Sequence, residues 1–245
     1  RRHPPRKEGV LMAFSEFLES RRARAKALVA ALKEQFEYVS VLGVDTRSKH
    51  IMVNANSSGI LNGDDTECGF VVKINNGGCF FEYSMDDIGA DIPAAAAQVK
   101  ESFTVSKLLR EGSIDRIVLK DEPLVQSFAR PTDLASYSDK DVLSFVQKMQ
   151  KELQAKSEHI LNAMIRVSTL EVSKLFVSAN RELDQNYTWI NGFMGLAYRE
   201  NDKTVQVFGF CDSANMADVM AELPGKMDDL VDRAHHLTLA KPIEP

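Results

Sequence analysis

The sequence predicts an α+β domain: mixed, largely antiparallel sheets with packed helices, arranged in two roughly similar halves. Three observations predict it. Apolar residues recur at helical spacing in two separate stretches, 15–36 and 138–153. Between and after them the period drops to two, in short runs rich in β-branched and aromatic residues. Each half also presents the same order of helix, strands with a hairpin, and helix.

The elements follow in chain order. Arg1 to Gly9 is basic and proline-containing, and no apolar stretch of a secretory signal follows it. Residues 1–12 are therefore read as a disordered or artefactual extension, with Met12 just ahead of the first helix. Phe14, Phe17, Leu18, Ala25, Leu28, Val29, Leu32 and Phe36 form one apolar stripe over a helix from Ser15 to Phe36. Arg21, Arg22, Arg24 and Lys26 lie on and beside it, and are read as a solvated face. Tyr38 to Asp45 and Ile51 to Asn54 are two short strands, and Asn56 to Glu67 is a polar loop around further strand pieces. Asn76-Gly77 suits a type I′ turn, whose two central positions need positive φ. Centring the turn there pairs Ile74 with Cys79, Val72 with Phe81 and Phe70 with Tyr83, and sets Lys73 diagonal to Glu82. In that register Cys68 lies too far from Cys79 to form a disulfide.

Asp91-Ile-Pro93 opens a helix towards Leu109, with Asp91 as N-cap and proline in the first turn. Residues 111–137 are read as a connection holding a short element near Ile114 to Leu119, punctuated by Pro123 and Pro131. Ser138 and Asp141 resemble a capping box ahead of Val142, Phe145, Val146, Met149 and Leu153. Strands are expected at His159 to Val167, Glu171 to Ser178, Tyr187 to Tyr198 and Val205 to Phe210, the last two joined through Glu200-Asn-Asp-Lys203. A helix from Lys226 to about Leu239 closes the domain. The folded part is thus 13–240, with subregions 13–110 and 138–240 joined by 111–137, and 241–245 reads as a linker to an absent C-terminal domain.

Function classes can be narrowed. A net charge of -5 disfavours a nucleic-acid partner, which selects a basic face. No apolar run reaches the roughly 18 residues of a membrane span. Three scattered cysteines, Cys68, Cys79 and Cys211, fit a reducing, cytoplasmic setting better than a disulfide framework. The five histidines do not carry a zinc spacing: His235 and His236 are adjacent, so they point in different directions on a helix. There is no nucleophile elbow and no phosphate-binding glycine loop. Asp64-Asp65 with Glu67, and Asp86-Asp87, lack the spacing of a calcium loop and read as solvated acids. Tyr187 and Trp189 read as core or interface. No catalytic, cofactor-binding or metal residue is assigned to this chain.

Two segments and the ending nevertheless resemble the TldD/PmbA family, the modulators of DNA gyrase. The first is Asn56-Ser-Ser-Gly-Ile60 with Glu67-Cys-Gly-Phe-Val-Val-Lys-Ile-Asn-Asn-Gly-Gly78 and Glu82-Tyr-Ser84. The second runs from Lys174 to Trp189, with Gly192 and Tyr198-Arg-Glu-Asn-Asp202. The closing helix with Lys241-Pro-Ile-Glu-Pro245 resembles the linker before the family's C-terminal domain. Ser178-Ala179-Asn180 and Asn215-Met-Ala217 depart from the pattern, lacking the glycines usual there. The resemblance implies the N-terminal domain of a zinc metalloprotease that cleaves unfolded peptides, closer to the TldD-type subunit. It also implies a heterodimer with a TldE/PmbA-type subunit, or self-association. The zinc would belong to a His-Glu-x-x-x-His motif in the C-terminal domain, none of which is present here. Alternatives are a non-catalytic PmbA/TldE-type partner domain and an independent binding module.

Overall fold

The structure, a computed structural model, describes residues 9–77, 79–108 and 119–241. Its elements are β1 (Val10–Leu11), α1 (Glu16–Lys33), β2 (Tyr38–Val53), β3 (Ser58–Asn62), β4 (Glu67–Asn76), β5 (Cys79–Met85) and α2 (Ile92–Leu108). They are followed by β6 (Leu124–Ala129), β7 (Pro131–Thr132), α3 (Asp139–Gln154), β8 (Ile160–Ser178), β9 (Arg181–Glu200), β10 (Lys203–Ser213), α4 (Met216–Glu222) and α5 (Met227–Leu239). One eight-stranded sheet carries the order β10-β9-β8-β2-β4-β5, with β3 beside β2 and β6 beside β9. The fold is α+β, and every pairing in the sheet is antiparallel except β6 with β9.

The two halves meet at the antiparallel pair β2/β8, and from there each runs outward through a meander: β2-β4-β5 on one side, β8-β9-β10 on the other. α1 precedes the first meander and α3 the second. All the described helices lie on one face. Val39, Val41, Ile51 and Val53 of β2 and Ala163, Ile165, Val167, Leu175 and Val177 of β8 are buried at alternate positions, so they share a side of the pleat. One cluster on that side packs α1 and α2 against β2 and β4, through Leu18, Leu28, Leu32, Val72 and Ile74. Phe103 of α2 closes it, 4.8 Å from Phe36 and 5.7 Å from Phe81 between ring centres. The other cluster packs α3, α4 and α5 against β8, β9 and β10, through Val146, Met149, Leu153, Val219 and Leu230.

The helix ends are set as their sequences dictate. Ser15 Oγ accepts the Leu18 N–H at 3.1 Å. Asp91 Oδ1 accepts the Ala94 N–H at 3.0 Å. Ser138 and Asp141 form a reciprocal capping box. Asn201 and Asp202 take φ of 51° and 62°, the left-handed pair that a two-residue hairpin needs between β9 and β10.

Several expectations are corrected. The β4/β5 register is displaced by two residues: Asn76 pairs with Cys79, Ile74 with Phe81, Val72 with Tyr83 and Phe70 with Met85. The connection therefore lies at Gly77-Gly78, with Gly77 at φ 58°. The expected face is preserved, and Lys73 sits directly opposite Glu82, 2.8 Å from its carboxylate. Asn76 stays in the ladder because its side-chain oxygen accepts the Glu37 N–H at 3.1 Å. The two short strands expected between 38 and 54 are one, and so are those between 159 and 178. β6 and α4 were not foreseen, and the element expected at 114–119 falls almost wholly outside the described residues. Within the segment read as an extension, Val10–Leu11 pairs with Pro131–Thr132. The Met12 carbonyl accepts from the Asn186 side chain at 2.5 Å. Residues 1–8 lie outside the described residues.

Candidate functional site

The residues singled out for possible chemistry are dispersed. Asp87 pairs with Arg21 at 3.0 Å, which holds its carboxyl below the usual carboxylate range. Asp64, Asp65 and Glu67 are exposed, and the Asp65 carbonyl accepts the Thr46 hydroxyl at 2.5 Å. The basic run of α1 is a clamp within the molecule and not an open face. Arg22 reaches Glu182 at 3.1 Å and Asp184 at 3.2 Å on β9, Lys26 also pairs with Glu182, and Arg24 donates to the Ile88 carbonyl at 3.1 Å.

Three of the residues that the sequence left apart do come together. Glu200, at the end of β9, has His235 Nδ1 at 2.6 Å, His159 Nε2 at 3.7 Å and the Tyr198 hydroxyl at 3.1 Å. His235 holds the Glu200 carboxyl below its ordinary range. Sequence spacing could not foresee this cluster, because its members come from three elements. His50 Nδ1 lies 2.7 Å from Ser168 Oγ across β2/β8. A nucleophile needs a base that is itself oriented by a third group. No carboxylate pairs with the His50 ring among the described residues, so this is a cross-strand contact. Among the described residues no group of three or more His, Cys, Asp or Glu is placed to hold a metal ion.

On the helix-bearing face a cleft of about 490 Å³ separates the two helix groups. Its floor carries Arg47 opposite Glu171 and Lys49 opposite Thr169, and Lys49 is neutralised by Asp139 at 2.9 Å. Buried Asp133 beside it caps α4, accepting the Met216 and Ala217 N–H groups at 2.5 and 3.0 Å. The cleft is charge-paired and built by helix ends.

The other face of the sheet is different: among the described residues no helix covers it. β8, β9 and β10 direct Arg166, Phe193, Phe208 and Phe210 onto it, and further along the strands Leu170, Tyr187 and Trp189. Trp189, Phe208 and Phe210 are 46%, 46% and 53% exposed. Phe193 lies under the group, with ring centres 5.7 Å from Phe208 and 5.2 Å from Phe210. Gly195 makes room for it, since a Cβ there would stand 3.0 Å from the Phe193 ring and 3.3 Å from the Phe208 ring. Arg130 sits over Trp189 at 5.3 Å. β10 pairs only with β9 among the described residues, leaving its outer edge unpaired by strands. Along that edge a groove of about 630 Å³ runs between Phe208, Phe210 and the end of α5 at Arg233, His236 and Leu237. An aromatic sheet face beside a strand edge is thus left without a covering helix among the described residues.

Solved structures carry the same architecture. A protein of Bacteroides thetaiotaomicron described as a candidate modulator of DNA gyrase superposes with a TM-score of 0.70 at 14% identity, over 94% of this chain and 52% of its own. The chain has the fold of the gyrase-modulator proteins. A second such protein, from Thermotoga maritima, gives 0.64 at 13% identity over 93% of this chain and 50% of its own. TldE from Thermococcus kodakarensis gives 0.59 at 13% identity, over 87% of this chain and 46% of its own. The chain thus spans about half the length of these structures. No family model and no curated protein matches it by sequence. The fold expected from the TldD/PmbA resemblance is the fold observed. No helix among the described residues is long and apolar enough to cross a membrane.

Proposed function

We propose that this chain is the N-terminal domain of a TldD-type metalloprotease acting on unfolded peptides. In this reading it contributes subunit pairing and one wall of the substrate cavity, and the metal chemistry belongs to another domain. The observation that carries the reading is the helix-free aromatic face on a fold shared with the gyrase-modulator structures, over about half their length. An extended peptide has an unpaired main chain and alternating side chains. An open sheet whose edge strand has no further strand beside it among the described residues can satisfy the first, except at the Phe208 carbonyl, which accepts from Arg233 at 2.6 Å, and can receive the second.

The likeness to TldE favours a second reading, a non-catalytic partner domain of PmbA/TldE type. The coding sequence downstream of Pro245 separates the two: a His-Glu-x-x-x-His motif supports the protease, and its absence supports the partner. The test of the role itself is to express the 245-residue chain alone and measure bound zinc and peptide cleavage. The expected result is neither. Stoichiometric zinc with peptidase activity overturns the proposal.

A further inference from the structure

The helix-free face carries a cation with an unmet donor. Arg166 lies in the middle of β8, paired with Met52 on one side and Phe193 on the other. Its guanidinium stacks on Phe193, 4.9 Å from the ring centre. Its Nε is buried and has no hydrogen-bond partner, the one such side-chain atom among the described residues. No carboxylate pairs with it among those residues either. By contrast, Arg21, Arg22, Lys26 and Lys49 all meet carboxylates.

A desolvated guanidinium donor without an acceptor is costly, and buried polar groups in folded proteins are almost always satisfied. On one side the arginine's surroundings are apolar, with Phe193 beneath it, Met52 opposite and Phe210 next to Phe193 on the following strand, while Ser168, His50 and Asn191 stand one pair further along the strands. That arrangement suits a carboxylate that arrives with apolar neighbours, excluding water from a charge-assisted hydrogen bond. We propose that Arg166 is the acidic-residue anchor of a peptide-binding face formed by Phe193, Phe208 and Phe210. The occupant is a polypeptide segment carrying an Asp or Glu two residues from an apolar side chain, so that both side chains leave an extended chain on the same face. Arg166, Phe193 and Phe210 lie on successive strands, about 4.8 Å apart, so the span from Arg166 to Phe210 is about 10 Å. Two residues of extended chain advance about 7 Å, and the lengths of the acidic and apolar side chains cover the remainder.

The inference rests on the reading of this domain as a wall of a peptide cavity, and it names the side-chain class that the wall selects. The probe is the capped peptide Ser-Ala-Leu-Thr-Glu-Ala-Ser, compared with its Glu-to-Gln counterpart, titrated into the 245-residue chain by calorimetry or amide chemical shifts. A charge-assisted hydrogen bond in this setting is expected to favour the Glu peptide by about tenfold. In R166M the preference should vanish while residual apolar binding persists, and R166K should restore part of it. The thermal melt of each variant shows that it is folded. Equal affinity for the two peptides in the wild-type chain, an unchanged preference in R166M, or no saturable binding up to about 1 mM overturns the inference. The broader reading fails separately. A chain with the Glu preference that nonetheless binds zinc and cleaves peptides alone refutes the cavity-wall role and leaves the anchor. Loss of the preference in a zinc-free, inactive chain refutes only the anchor.

Discussion

Arg22→Met would test whether the basic run of α1 holds the two halves together. Arg22 is the centre of the clamp: its guanidinium meets Glu19, Glu182 and Asp184 at 2.7, 3.1 and 3.2 Å, and all but Glu19 are about four-fifths buried at the side chain. These contacts raise the Arg22 pKa, Glu19 first, and Lys26 followed by Arg22 lowers that of Glu182. At an effective dielectric of about 20, opposite charges 4 Å apart attract by about 4 kcal/mol. Desolvation and side-chain ordering offset most of that, leaving about 1–2 kcal/mol for a partly buried pair, between the exposed and fully buried limits. For a chain of this size the loss lowers the melting temperature by about 2–8 °C. Glu182 has a depressed folded-state pKa, so its contribution is present above the unfolded carboxylate value and is lost as pH falls through the folded one. The stability gap between wild type and R22M should therefore narrow between neutral pH and about pH 3. Urea melts at several pH values give the measurement. An R22M chain as stable as wild type at pH 7, or a gap independent of pH, would refute the clamp.

Two further outcomes follow from packing. Leu153 is fully buried where α3 meets β8. Leu153→Ala should cost about 3 kcal/mol in chemical denaturation, and a loss below about 1 kcal/mol would contradict the core assignment. Cys211 is buried, and burial pushes its thiol up to about 11, whereas Cys68 is exposed. Thiol titration of the folded chain at pH 8 should label Cys68 readily and Cys211 only on unfolding, as peptide mapping would show.

Much of the fold could be read from residue pattern. α1 and α3 declare themselves by apolar spacing, α3 also by its Ser138/Asp141 cap. The β9/β10 turn declares itself by Asn201-Asp202. What escaped has identifiable physical causes. Thr46 to His50 looked like a break in a strand because the residues are polar. In the structure, buried Thr46 and Ser48 bond the 63–66 turn: Thr46 donates to Asp65, and Thr66 accepts the Ser48 N–H at 2.9 Å. Polarity there marks local coverage, and the ladder continues. β6 escaped because all six of its residues are exposed, so no alternation records its pairing with β9. The hairpin register slipped because the Asn-Gly preference is local, whereas the Glu37 contact that keeps Asn76 in the ladder is not.

The candidate site was less legible. Tyr187 and Trp189 were read as core or interface, and they lie on the uncovered face, with Trp189 about half exposed. Arg166 gave no signal: an arginine at an alternate position of a strand normally points to water. Only the pairing of β8 with β9 shows that it lies on a phenylalanine with an unmet donor. The Glu200 cluster draws His159, Glu200 and His235 from three separate elements, so no linear spacing encodes it.

In the function proposed above, the helix-free face is a covered, peptide-facing surface in the working protein. Hydroxyl-radical footprinting tests it most directly, by comparing oxidation of Phe208, Phe210 and Trp189 in the chain alone and in the assembly proposed above. Ready oxidation of all three is expected in the isolated chain and several-fold protection in the assembly, with further protection on adding the Glu peptide. Equal oxidation in every state would contradict it.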